Sequence, residues 1–259
     1  MDILTILVVG ANGSIGRHVV AQALEAGHTV RALVRRTSKA LPVGAVQVIG
    51  DLTDPASLVQ AVEGVDAIVF THGSDGEGKV GARTVDYGGV RNILAALPAG
   101  ARPRIALMTA IGVTDRVGHY NRETEAHDWK RRAERLVRAS GLAYTIVRPG
   151  WFDYNKPDEM RIVMLQGDRR HAGDSSDGVI ARSQVAQVLL ASLTCDDARC
   201  RSFELVAERG PAQEDLAPLF AALQPDDPAQ EDGPDNLPNM PISDEPAEVL
   251  ADLASVRAR

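Results

Sequence analysis

Directly after an apolar run, Ile3 to Val9, the chain reads Gly10-Ala11-Asn12-Gly13-Ser14-Ile15-Gly16. Three glycines at this spacing, on a turn leading from a strand into a helix, suit a dinucleotide pyrophosphate. Gly10 permits the tight turn, Gly13 lets the anion approach the backbone, and Gly16 lets helix and strand pack closely. Asn12, Ser14 and Ile15 share the turn, with the N–H groups near Ser14 and Ile15 aimed at the phosphates. An acid about 20 residues on would hold the adenosine ribose of NAD, but Val34 is followed there by Arg35 and Arg36. Guanidinium groups at that point suit the 2′-phosphate of NADP. The expected cofactor is NADP(H) in preference to NAD(H), with two arginines on a solvated loop as the alternative. Lys130 is a further candidate, because it falls on a helix face shared with Ala126, Trp129, Ala133, Leu136 and Val137. A cation on an apolar face needs a partner, unless its stem packs while its head reaches water.

Other chemistries find no footing. The six histidines and the many acids lack metal-ligand spacing, and neither a Gly-x-Ser-x-Gly elbow nor a Cys/His pair suggests a hydrolase. Lys130, Arg131, Arg132, Arg135 and Arg138 make one helix basic, but Glu134 interrupts it, and a solvated face is expected rather than a nucleic-acid surface.

The elements that must carry these residues are short apolar runs separated by helical stretches. Ile3 to Val9, Thr29 to Val34, Val46 to Ile49, Ala67 to Phe70, Ile105 to Met108 and Tyr144 to Val147 lack polar alternation, as strands buried on both faces do. Ile15 to Ala26, Pro55 to Val62, Val85 to Leu97 and Ala126 to Ser140 have helical spacing. Asp54-Pro55 reads as a helix start, and Gly27 and Gly141 stand at helix ends. A helix from Ser183 to Leu193 and a strand at Phe203 to Val206 complete an α/β, doubly wound Rossmann fold, mainly parallel, with helices on both faces.

Length and charge divide the chain unevenly. Of 259 residues with a net charge of −7, residues 211–259 carry eleven acids against Arg257 and Arg259, leaving the body slightly positive. Six of the fourteen prolines and seven acids lie from Pro225 to Pro246, a composition read as extended or flexible. The expected division is a Rossmann domain with its substrate cleft over 1–210 and an acidic, Pro-rich extension over 211–259. Val249, Leu250, Leu253 and Val256 have the spacing of a short terminal helix that docks on the body or a second subunit, or lies solvated. The apolar start follows Asp2 rather than a basic patch, and no run is long enough to span a membrane. Cys195 and Cys200 cannot build a disulfide framework, so the expected compartment is the cytoplasm.

The glycine spacing, then Gly50-Asp51-Leu52, Thr71-His72-Gly73, and Ser140-Gly141-Leu142 leading into Tyr144-Thr145-Ile146-Val147-Arg148-Pro149-Gly150, resembles the short-chain dehydrogenase/reductase superfamily in its atypical NmrA-like, NAD(P)H-binding branch. The likeness covers residues 3 to about 207. It implies that Asp51 bonds the adenine amino group beside Leu52, that the turn Thr71 to Gly73 passes under the central riboses, that the backbone near Pro149 meets the nicotinamide amide, and that Lys130 holds the nicotinamide ribose. From the residues alone, Asp51 is equally a helix-initiating acid and His72 a surface histidine. Trp151, Phe152 and Tyr154 fall where the substrate cleft of such proteins opens, and suit a planar ligand or cover for the sheet end.

Catalytic members also use a serine and a tyrosine four residues before the lysine. Here those positions are Ile111 and Ala126. The expectation is an NADPH-dependent oxidoreductase that passes hydride directly to a quinone, enone or flavin-like molecule, with Lys130 and a substitute acid such as Tyr120 or Tyr154, or water, serving the proton. A non-catalytic NADP(H) sensor or protein-interaction module is the rival. No metal, nucleic acid or membrane partner is expected, and the sequence does not set the oligomeric state.

Overall fold

Ile6 and Val8 face one side of the first strand and Leu7 and Val9 the other, and all four are fully buried. A strand apolar on both faces must be covered twice, and the computed structural model, which describes residues 3–74 and 76–259, shows how. The elements run β1 (Thr5–Val9), α1 (Gly16–Glu25), β2 (Thr29–Val34), β3 (Val46–Ile49), α2 (Val59–Val62), β4 (Ala67–Phe70), α3 (Gly78–Gly81), α4 (Gly88–Ala96), β5 (Arg104–Met108), α5 (His119–Thr124), α6 (Ala126–Ala139) and β6 (Tyr144–Pro149). They continue with β7 (Trp151–Phe152), β8 (Arg161–Leu165), β9 (Val179–Ile180), α7 (Arg182–Thr194), β10 (Arg201–Glu208), α8 (Ala217–Ala221) and α9 (Ala247–Arg257).

The strands form one sheet in the order β3-β2-β1-β4-β5-β6-β10-β9-β7, with β8 also paired to β10. From β3 to β10 every neighbour is parallel, and β8 and β9 join β10 antiparallel. α1 and α7 share one apolar layer with β1, whereas α4, α6 and α9 share the other. The expected doubly wound fold is therefore observed.

Two helices begin differently from expectation. Asp54 does cap its helix, accepting from the Ala56 N–H at 3.2 Å, but Pro55–Leu58 is a 3-10 turn that passes into α2. The stretch before α4 is a π-helical segment, Ala82–Tyr87, which turns Asp86 inward.

The basic face of α6 is not solvated. The side chains of Arg131, Arg132, Arg135 and Arg138 are at most 9% exposed, because residues 226–245 lie along them. Asp232 bridges Arg131 and Arg135, Glu245 bridges Arg132 and Arg135, and Asp226 takes Arg138 at 3.0 Å. Backbone oxygens of Leu237 and Met240 fill further guanidinium donors. Of the two alternatives, extended or flexible, the structure shows the first: the segment has little regular structure, as its composition requires, and charge pairing holds it along α6. Buried guanidinium groups need matched acceptors, and a proline-rich chain supplies them without helix or sheet. α9 docks on the body through buried Val249, Leu253 and Val256, while Leu250 stays exposed. Among the described residues, no helix is long and apolar enough to cross a membrane.

Candidate functional site

The strand order reverses between β1 and β4, and ligands of such sheets bind outside the carboxyl ends at that crevice. The glycine turn lies there. Gly10 has φ of +87°, and a Cβ on it would stand 2.6 Å from the His72 nitrogen; a Cβ on Gly16 would stand 2.1 Å from the Gly10 oxygen. Neither position accepts a side chain. The turn opens into a cavity of about 1460 Å³, larger than a site for one small ligand needs.

At one end its wall is Arg35, Arg36, Asp51 and Leu52, and in the middle it is Gly10, Asn12, Gly13, Ser14, Ile15, Thr71, His72 and Gly73. Lys130, Pro149, Tyr120, Trp151 and Phe152 line the remainder. Gly16 lies behind the wall as a packing residue. Tyr154 is not on the wall: the chain turns at Asp153, with φ of +60°, and Tyr154 stands 65% exposed, edge-on to Trp151. Its expected place beside the substrate is therefore corrected.

Asp51 Oδ1 accepts from the Thr53 N–H and hydroxyl at 2.8 and 2.7 Å, which lowers its pKa and keeps it ionised. Arg35 and Arg36 are exposed just across the crevice. His72 is fixed by its Nε2, which lies 3.1 Å from the Val85 oxygen and donates to it in the neutral ring. Burial lowers its pKa to about 4, against the pull of Asp86, and its buried Nδ1 is an acceptor with no partner among the described residues. Lys130 Nζ finds Asp86 at 3.2 Å, and that carboxylate also accepts from the Ser74 N–H and hydroxyl. The cation on the apolar face is thus anchored by the π-helical segment and still lines the cavity. A glycine turn that no Cβ can fill, an orphaned acceptor midway and guanidinium groups at one end fit a dinucleotide.

The other end holds groups that sequence reasoning missed. Ile111 and Ala126 are buried and apolar, but His127 and His171 approach Gly112, and both line the cavity. His127 packs against the Tyr120 ring, centroids 5.3 Å apart. His171 Nε2 lies 3.2 Å from the Thr114 hydroxyl, which donates to Asp168 Oδ2 at 2.8 Å. Asp168 is fully buried and also accepts from the Gly112 and Thr114 N–H groups, both at 2.7 Å. Glu204 accepts from the Asp168 N–H, and burial, with Asp168 nearby, pushes it up to about 7 despite Arg148. The only sequence signal was the i, i+3 spacing of Asp168 and His171, on a stretch without periodicity.

The profile of a family described as NAD(P)H-binding matches residues 10–196. A sugar epimerase of Bacillus subtilis, YhfK, itself uncharacterized, is 30% identical over 222 residues, covering 83% of this chain and all of that protein. Sanguinarine reductase of Eschscholzia californica is 27% identical over 264 residues, covering 85% and 96%. A Bacillus halodurans structure, described provisionally as an NAD-dependent epimerase/dehydratase, superposes with a TM-score of 0.69 at 25% identity, covering 85% of this chain and all of that one.

Proposed function

The chain belongs to the NAD(P)H-binding family of atypical short-chain dehydrogenases/reductases, and we propose that it is an oxidoreductase that reduces a planar quinone, enone or flavin-like molecule with NADPH. One observation carries this reading: a single cavity runs from Arg35 and Arg36, past the glycine turn and Lys130, to Trp151 and Phe152. It has room for a dinucleotide and a second molecule side by side. Bound there, the cofactor supplies hydride. Arg35 and Arg36 would grip its 2′-phosphate and Asp51 and Leu52 its adenine, with the turn Thr71 to Gly73 under the central riboses. Lys130, oriented by Asp86, holds the nicotinamide ribose, with Pro149 behind the amide. Trp151 and Phe152 offer apolar faces to a flat acceptor and exclude water.

The proton is the open role, since Ala126 and Ile111 carry none. Tyr120, His127 and His171 are wall residues able to supply one, and we assign it to His171, whose ring Thr114 and Asp168 hold. The name of the sanguinarine relative supports reductive chemistry on a small molecule. A reducing cytoplasm suits Cys195 and Cys200, which are free thiols. The apolar residues at positions 111 and 126 favour one rival, a protein that binds NADP(H) without turnover. The two separate in a purified-protein assay of NADPH oxidation across quinones, flavins and enones, run beside a cofactor titration. Acceptor-dependent oxidation supports the reductase; tight binding with none supports the sensor.

A further inference from the structure

Arg182 opens α7 beside the glycine turn. Its Nε–H donates to Ser14 Oγ at 3.0 Å, its Nη1 pairs with Asp153, and its guanidinium lies over Phe152, 5.0 Å from the ring centroid. The Arg182 N–H donates to the other Asp153 oxygen at 2.9 Å. Ser14 and Phe152 both line the cavity, and this guanidinium, 32% exposed, touches both of them without being one of the wall residues itself. The turn from Gly10 to Gly16 contains no cation of its own. Arginine has five N–H donors, and those on Nη2 are unused among the described residues.

We propose that Arg182 is a cofactor-binding residue that grips the pyrophosphate beside Ser14 and ties it to the Trp151–Phe152 wall through Asp153. This rests on the dinucleotide reading above and adds to it side-chain donors, those on Nη2, beside the backbone N–H groups. Asp153 keeps the guanidinium aimed, and stacking on Phe152 limits its swing.

The test is calorimetric titration of the unmutated protein and of Arg182→Gln with three ligands: NADPH, NADH and adenosine 2′-monophosphate. The first two contain pyrophosphate; the third keeps only the adenosine end. The expected result is that the substitution weakens NADPH and NADH alike, by roughly 10-fold or more, and leaves adenosine 2′-monophosphate unchanged. Equal loss for all three ligands would make Arg182 structural, and unchanged NADPH affinity would remove it from the site. Either result overturns the proposal while the cofactor reading stands. If the unmutated protein binds neither dinucleotide, the cofactor reading itself falls, and the proposal with it.

Discussion

At the scale of single residues, the site assigns separate tasks to charges at separate points of the cavity. If Arg35 and Arg36 grip the 2′-phosphate as proposed, replacing both by Ala should abolish most of a roughly 10-fold or greater preference for NADPH over NADH, chiefly by weakening NADPH. Titrations with both cofactors at fixed, moderate salt check this, because exposed contacts are screened. His171 is held by Thr114 and Asp168 but has no part in the phosphate turn. His171→Gln should therefore lower kcat about 100-fold, a typical general-acid effect, with NADPH affinity unchanged. Steady-state kinetics read this directly. If Tyr120→Phe produced that loss instead, the proton would belong to Tyr120. The glycine turn and both arginines were legible in the sequence because contiguous residues make them. His171 was not, because its partners Thr114 and Asp168 converge only in the folded loops.

At the scale of elements, the pairing of α6 with residues 226–245 is the least ordinary feature. Burial alone would raise the pKa of Asp232, but hydrogen bonds from Arg131 and Arg135 outweigh it and hold the carboxyl well below its usual range. A carboxylate depressed in the folded state contributes stability that is present above its unfolded pKa, about 4, and lost as pH falls toward the folded value. Asp232→Ala leaves two buried guanidinium groups short of a partner and should cost about 3 to 5 kcal/mol near neutral pH. The difference from the unmutated protein should shrink as pH falls below about 4. Urea unfolding of both proteins at several pH values measures it, and a pH-independent difference would contradict the charge account. Composition left flexibility open here because hydropathy does not register charge matching. The signal lay in the pairing of an arginine-rich helix with the seven acids between Pro225 and Pro246. The central parallel strands, by contrast, announced themselves by being apolar on both faces, whereas β7 and β9, of two residues each, were too short to show a pattern.

At the scale of the molecule, the doubly wound sheet places the carboxyl ends of β1 and β4 at the glycine turn, and the chain after β6 brings Trp151 and Phe152 to the wall of the same cavity. The 226–245 segment also reaches the far end of the site, since Asn239 Nδ2 donates to the Thr114 oxygen at 2.9 Å and Asn236 accepts from Arg148. The fold and the glycine turn were thus readable from contiguous residues, while the loops that hold His171 depend on long-range contacts that no local motif encodes. The central claim is that this cavity brings NADPH and a planar acceptor together for direct reduction. Its most direct measurement is the steady-state rate of naphthoquinone-dependent cofactor oxidation, with NADPH and NADH compared at fixed salt. The account predicts acceptor-dependent oxidation, with kcat/KM roughly 10-fold or more higher for NADPH; tight NADPH binding with no acceptor-dependent oxidation by any quinone, enone or flavin would contradict it.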